Sequence, residues 1–419
     1  MTPAMDAPPP LATDARGAAR TLERLLARIT AREPVIRAWT HLGAEAALET
    51  ARARDREEPR GPLHGAAIGV KDVIDTADMP TAYGSVIYAG HRPAADAACV
   101  ALLRAAGAIV LGKTATTEFA GWHAGPTVNP RDPRRTPGGS SSGSAAAVAA
   151  GMVPAALGTQ TGGSVIRPAA FCGVVGFKPS FGLIPRAGVK TLADSLDTVG
   201  VLAANVADAA RVAGVLAGWA ATAPDPFPGP RVGLHPTIHA GRAEPAAIAL
   251  LREVADRLGR AGARIVPVTA PPAFDALYEL QPLIETAESA RALAHEWHCH
   301  RDALSPSLRA SIEAGAATAP EAYREAVARA EACRASDALF ADCDVLLTPS
   351  ALGEAPLGLA DTGDNLFNRI WTLLHVPCLT LPASRGANGL PLGVQLVGRR
   401  LDDARLLGIA RWVEAVLAG

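Results

Sequence analysis

Short apolar runs alternate with longer stretches of helical spacing along almost the whole chain, and this alternation restricts the fold more than any other feature. AAIGVKDVID reads as a buried strand carrying Lys71 near its end. Ala97 to Ala106 is expected to be a helix and Ala108 to Lys113 a strand. A helix is expected over Ala145 to Ala150, followed by the strand-like VPAALG. An amphipathic helix should run from Pro245 to Ala261, with a strand over Arg264 to Thr269. Residues 275–342 read as mostly helical, and DVLLTPS (Asp344 to Ser350) as a buried strand. LPLGVQLVG is a further strand, and Asp402 to Leu417 a closing helix. Residues 17–55 read as helical, with Leu22, Leu25, Leu26 and Ile29 at helical spacing and a second helix around Ala44 to Ala53. The expected architecture is an α/β sandwich with helices on both faces of a sheet. NPRDPRRTP (Asn129 to Pro137) reads as an exposed loop. The Pro-rich APDPFPGP (Ala223 to Pro230) reads as a surface crossover within one domain.

Composition narrows the function classes. Apolar residues make up 49% of the 419, enough for a sizeable core, and the formal net charge is −1. No basic excess points to nucleic acid, and no apolar run is long enough to cross a bilayer. The N-terminal MTPAMDAPPPLATDARG lacks a basic start followed by an apolar core, so no signal peptide is expected. Cys99, Cys172, Cys299, Cys333, Cys343 and Cys378 lie without short repeated spacing, which suits reduced, mostly buried thiols in a cytosolic protein. Only four of the 40 basic residues are lysines: Lys71, Lys113, Lys178 and Lys190. In a chain that uses arginine for ordinary surface charge, a lysine is less expected as a generic solubilising residue; chance clustering is the alternative reading. A site that needs a neutral amine would have to keep lysine, since arginine stays protonated in proteins.

Three sets of residues could carry chemistry. Gly139-Ser140-Ser141-Ser142-Gly143 matches the G-x-S-x-G turn that exposes a nucleophilic serine between a strand and a helix. The preceding RRTPG is no strand, which speaks against Ser141 in that role. His295-Glu296-Trp297-His298-Cys299-His300 is one residue from H-E-x-x-H, but no second ligand cluster accompanies it, and a solvent-facing helix end is expected. The third set joins Lys71 with Ser140 and with Ser164 of TQTGGS. Both serines adjoin glycines, where backbone can approach a substrate closely, and successive N–H groups before Ser164 can cradle an anion. No histidine falls between His123 and His235, so a serine here would have Lys71 as its local base. On residues alone, two glycine-rich turns and a strand-end lysine remain the alternative.

The Gly/Ser-rich region from PGGSSSGSAAAVAAG through LGTQTGGSVIRPAAFCGVVGFKPS resembles the hallmark of the amidase signature family. LHGAAIGVKDVID, VLGKTATTEFA, SLDTVG (Ser195 to Gly200), DVLLTPS and LPLGVQLVG match its other markers in order, over about residues 60 to 400. Within the family the wording GTQTGGSVIRPAA is most similar to malonamidase-type bacterial amidases, and the chain also looks like the bacterial urethanases.

The resemblance implies one large α/β/α sandwich with a central mixed sheet covered by helices on both faces. An N-terminal helical segment over residues 1–60 would pack on a domain over 61–419, whose signature region spans about 61–205. It further implies a Ser–cisSer–Lys triad, with Ser164 as nucleophile, Ser140 bridging through a cis Gly139–Ser140 peptide, and Lys71 as base. The backbone N–H groups of Thr161, Gly162, Gly163 and Ser164 would form the oxyanion hole. Arg167, Thr159, Gln160 and Ser142 would serve substrate binding. Loops 79–90 and 119–128, with Tyr83 and Trp122, would wall the pocket or else pack as core.

Amides, anilides, carbamates and esters would be cleaved through an acyl-enzyme, without cofactor or metal. The partner would be a small-molecule amide or carbamate, with no nucleic acid or membrane, and the protein a cytoplasmic monomer or homodimer. Departures from the family pattern are Gln160 where many members carry Asp, Ser142 where glycine is common, and Arg167 three residues after the serine instead of two. Two narrower readings stay open. One is a malonamate amidase using Arg167 for the free carboxylate. The other is the glutaminase subunit of a tRNA-dependent amidotransferase, against which the short chain and near-zero net charge count.

Overall fold

The computed structural model of the protein describes residues 8–11, 17–219 and 224–419. Eleven strands form one sheet: β1 (Trp39–Leu42), β2 (Ala67–Lys71), β3 (Ile109–Thr114), β4 (Ala155–Gln160), β5 (Val175–Lys178), β6 (Thr198–Ala203), β7 (Arg231–Leu234), β8 (Arg264–Pro267), β9 (Val345–Pro349), β10 (Cys378–Arg385) and β11 (Pro391–Val397). Their order is β1-β3-β2-β4-β6-β5-β10-β11-β9-β7-β8. β2 runs parallel to β3 and β4, whereas β6 is antiparallel to β4, so the sheet is mixed.

Side-chain alternation builds a layer on each face. Ile109 and Leu111 of β3 face one layer and Val110 the other. On the first face pack α1 (Ala18–Ile36), α2 (Ala44–Arg54), α4 (Ser142–Ala149) and α5 (Ile166–Cys172). The opposite face carries α3 (Ala98–Ala105), α6 (Val206–Ala217), α7 (Pro245–Arg260) and α13 (Asp403–Ala418). The six-residue alanine-rich run Ala145–Ala150 lets α4 lie close to the strands, with Ala145 to Ala149 all buried. The helices α8 (Leu277–Ala292), α11 (Pro320–Arg334) and α12 (Arg369–Leu373) share a third core cluster with Leu346 of β9, while α9 (Ala294–His300) and α10 (Pro306–Ala316) pack against α8.

Several expectations need correction. Residues 17–55 are not helical throughout: β1 lies between α1 and α2 and pairs antiparallel with β3. Its four residues show no buried-exposed alternation, so the sequence carries no strand signal there. The strands β5, β6, β7 and β10 are likewise absent from the sequence reading. β6 is buried at every position, and a short continuous apolar run has no diagnostic period. The segment Asn129 to Pro137 is not simply an exposed loop. Asn129 is fully buried and its amide donates to the carbonyls of Thr136 and Phe171, anchoring the turn inward. Ala223 lies outside the described residues, while Asp225 to Gly229 are exposed as expected.

The topology places the site. β2 and β4 are parallel neighbours, with Val70 opposite Leu157, so their carboxyl ends emerge together. Lys71 ends β2, Thr159 and Gln160 end β4, and the loops entering α4 and α5 begin just beyond. That edge is where parallel α/β sheets present their ligand-binding groups.

Candidate active site

Lys71 is fully buried, and among the described residues no carboxylate pairs with its ammonium. Its Nζ lies 2.7 Å from Ser140 Oγ and 2.7 Å from Thr159 Oγ1, with the Thr159 carbonyl at 3.4 Å. Burial pushes its pKa down from the usual value near 10.5 to about 7, against a partial upward pull from Asp197. An appreciable fraction of neutral amine is therefore present at neutral pH. The Gly139–Ser140 peptide is cis, and the Ser140 carbonyl accepts from the Thr117 N–H at 3.3 Å.

The middle serine of the triplet is consumed by structure. Ser141 is fully buried, and its hydroxyl donates to the Thr159 carbonyl and accepts from the Thr159 N–H, both at 3.2 Å. Ser164 is different: its hydroxyl makes no hydrogen bond among the described residues, and the residue keeps 8% of its surface accessible. The Ser141 N–H, 3.3 Å from the Ser164 carbonyl, joins the two serine loops.

The carbonyls of residues 161–164 are all tied to other groups. Thr161 O accepts from Gln281 Nε2 at 3.2 Å, and Gly162 O from Thr372 Oγ1 at 2.8 Å. Gly163 O accepts from the Arg167 N–H at 2.9 Å, and Ser164 O from Ser141. The N–H groups of Thr161, Gly162, Gly163 and Ser164 find no acceptor among the described residues. Four free donors in succession form a cradle for negative charge. Glycine is required at two of these positions because neighbours press on the backbone. A Cβ on Gly162 would collide with the Asn365 amide, and one on Gly163 would lie 2.6 Å from Asn368 Oδ1.

Arg167 is buried on α5, and its Nη2 donates to the Gly139 carbonyl at 2.8 Å and to Thr362 Oγ1 at 3.0 Å. It thus braces the Gly139–Ser140 loop through a backbone carbonyl. Its Nε and Nη1 have no partner among the described residues, and burial lowers its pKa to about 10, so it stays charged at neutral pH.

The other residues expected to bind substrate are engaged within the protein. Gln160 donates to Thr372 Oγ1 and accepts from the N–H groups of Val165 and Ile166, holding the first turn of α5. Ser142 donates to the Ala115 carbonyl at 3.4 Å, because it opens α4 on the side facing β3. Thr159 spends its hydroxyl on Lys71. Tyr83 is mainly core, its hydroxyl donating to Asp75 at 2.8 Å, while Trp122 remains 40% exposed. His295, His298, Cys299 and His300 lie toward solvent, and Glu296 instead turns inward to accept from Tyr88 and Lys190.

Sequence reasoning missed several groups. Asp197, inside the quoted SLDTVG, accepts from Thr161 Oγ1 at 2.6 Å and from the N–H groups of Leu192 and Ala193. Its place in a recognised motif was the available signal. Gln281 and Glu285 sit on the buried face of α8, in a polar stripe with Tyr278 and Glu288 at helical spacing. That spacing was legible, although its target was not. Asn365 and Asn368 come from a loop with no periodic signal.

A strand-end lysine bonded to a serine thus lies beside a loop of free N–H donors, an arrangement able to deprotonate a hydroxyl and receive negative charge. The model for the family described as Amidase matches residues 20–407, and the chain belongs to that family, the amidase signature enzymes. It is an amidohydrolase acting on C–N bonds. A glutamyl-tRNA(Gln) amidotransferase subunit from Chloroflexus aggregans is 37% identical over 442 aligned residues, covering 92% of this chain and 90% of that protein. A solved amidase structure superposes with a TM-score of 0.87 at 34% identity, covering 95% of this chain and 96% of the other. The native peptide amidase of Stenotrophomonas maltophilia does so with a TM-score of 0.80 at 31% identity, covering 96% and 94%. Among the described residues no helix is long and apolar enough to cross a membrane.

Proposed function

We propose that the protein hydrolyses small amides, anilides and carbamates through a Ser164 acyl-enzyme, with Ser140 and Lys71 completing the triad. The observation that carries this reading is the 2.7 Å bond from a fully desolvated Lys71 to Ser140 Oγ. Neutral Lys71 takes the Ser140 proton as Ser140 takes that of Ser164, and Ser164 Oγ adds to the substrate carbonyl. The oxyanion is received by the N–H groups of Thr161, Gly162, Gly163 and Ser164. Collapse breaks the C–N bond, and the amine leaves with the proton returned through Ser140. Water then repeats the sequence on the ester. Only the carbonyl and a protonatable leaving atom are required, so esters are substrates too, and a carbamate leaves a carbamoyl or carbonate ester on Ser164.

A narrower reading is supported by Arg167. A buried guanidinium with two nitrogens unpartnered among the described residues suits a substrate carboxylate, as in malonamate. A second rival, glutaminase activity within a tRNA-dependent assembly, draws on the identity to amidotransferase subunits. The purified protein should be assayed on malonamate, a nitroanilide, an aryl carbamate and glutamine. Hydrolysis of the nitroanilide or carbamate, abolished in Ser164→Ala, is the expected result. Activity retained by Ser164→Ala sinks the triad, ammonia release from glutamine alone favours the glutaminase reading, and preference for malonamate assigns Arg167 to the carboxylate. Five buried, unpaired cysteines suit a cytoplasmic enzyme, and a monomer or homodimer is proposed.

A further inference from the structure

Gln281 and Glu285 are one turn apart on α8, on the face turned into the protein, and both are buried. The Gln281 Nε2 has two hydrogens and spends both: one on Thr161 O at 3.2 Å, the other on Glu285 Oε2 at 2.6 Å. Glu285 Oε2 also lies 3.5 Å from where a Cβ on Gly162 would stand, so the carboxyl presses against the same loop. No ion pair compensates Glu285 among the described residues; Arg167 and Arg369 act on it from farther away, and Asp197 opposes its ionisation. A buried carboxyl without a cation costs stability, and an apolar residue would pack an α-helix more cheaply here. What the carboxyl supplies is direction. A Gln amide can present its nitrogen or its oxygen, and the oxygen would repel the Thr161 carbonyl. An acceptor at Glu285 fixes the nitrogen toward Thr161 O.

We propose that Gln281 and Glu285 are positioning residues for the oxyanion cradle: the carboxyl orients the amide, and the amide holds the Thr161 carbonyl away from the site so that the following N–H faces inward. This role rests on the Ser164 acyl-enzyme reading proposed above. Neither residue touches the reacting atoms. Their effect belongs to states that carry negative charge on the former carbonyl oxygen, and ground-state binding is left alone.

The test uses the full chain, a nitroanilide substrate, a peptide-like aldehyde and the matching primary alcohol. The aldehyde accepts Ser164 Oγ at its carbonyl carbon, its oxygen becomes the oxyanion, and the serine proton passes through Ser140 to Lys71; the alcohol binds without reacting. Gln281→Met should lower kcat about 10- to 100-fold with KM unchanged within about threefold. It should weaken the aldehyde by the same factor and leave the alcohol unaffected. Glu285→Leu should move the same readouts in the same direction, and Glu285→Gln should restore most activity, because its amide oxygen can still accept from Gln281. A folded Gln281→Met with kcat and aldehyde affinity near wild type overturns the proposal. So does an equal weakening of aldehyde and alcohol, which marks general distortion. Should Gln281→Met fail to fold, Glu285→Leu decides by the same criteria. A wild-type protein that neither turns over the anilide nor binds the aldehyde removes the Ser164 acyl-enzyme reading and this role with it, and is recognisable as that failure.

Discussion

Lys71 is held where its ammonium form is costly, and that cost is tied to its proposed role as base. With its pKa near 7 against about 10.5 unfolded, folding must strip a proton or bury a charge. The penalty is full below pH 7, shrinks as pH rises, and vanishes near pH 10.5, where the unfolded lysine is neutral too. Lys71→Met should therefore lose hydrolysis by at least about 10³-fold while melting at a higher temperature than wild type. That gain should be largest below pH 7 and disappear toward pH 10.5 in thermal unfolding scans. Asp197 pulls the Lys71 pKa upward from nearby. Asp197→Asn keeps the acceptor for Thr161 but removes the charge, so the neutral amine is favoured. The acid limb of kcat/KM should shift to lower pH; a limb that stays in place would separate Asp197 from the base.

Of the four lysines only Lys71 meets Ser140, and the other three hold structure. Lys113 donates to Thr81 Oγ1 and the Ile74 carbonyl, with Asp72 at 3.7 Å, and so fastens the turn after Lys71. Lys178 donates to the carbonyls of Pro179 and Val376. Lys190 reaches Glu296 beside the rings of Tyr88 and Phe119. Lys113 and Lys178 are compact cations buried among carbonyl and hydroxyl acceptors, and Lys190 is held by one carboxylate and aromatic rings.

At the scale of elements, the loop between β4 and α5 is shaped by what surrounds it. Gln160 caps the first turn of α5 from within, Thr372 and Gln281 hold carbonyls from two other helices, and Asn365 and Asn368 press on the glycines. Gly163→Ala should force Asn368 or the loop to move and disorder the N–H cradle. A loss in kcat of about 10²-fold is expected, with circular dichroism unchanged. A fully active variant would mean that the loop has room that the packing denies. Sequence reasoning found the glycines but assigned Gln160, Thr159 and Ser142 to substrate. It had no means of seeing that their polar atoms were already taken by α5, Lys71 and the Ala115 carbonyl.

At the scale of the molecule, the sheet gathers groups far apart in the chain. β2 and β4 deliver Lys71 and Thr159, α4 and α5 begin at the serine loops, and α8 and α12 close over the back from distant segments. The solvent-facing histidines of α9 lie outside this assembly. His295→Ala, and separately a chelator, should leave turnover unchanged in a steady-state assay; loss of activity with the chelator would reopen the metal reading of that helix.

The sequence alone determined the alternation and the sandwich class, and its resemblance to the amidase signature family singled out Lys71, Ser140, Ser164 and the glycine-rich loop. Those features are written in periodicity and in contiguous motifs, which local chemistry can read. Only the tertiary structure decided that β1 joins the sheet edge, that Ser141 is spent on Thr159, that Arg167 braces the Gly139 carbonyl, and that Gln281, Glu285, Asn365 and Asn368 back the cradle. Each of these depends on which hydrogen-bond partner a polar group meets across the fold, and no local pattern encodes that meeting.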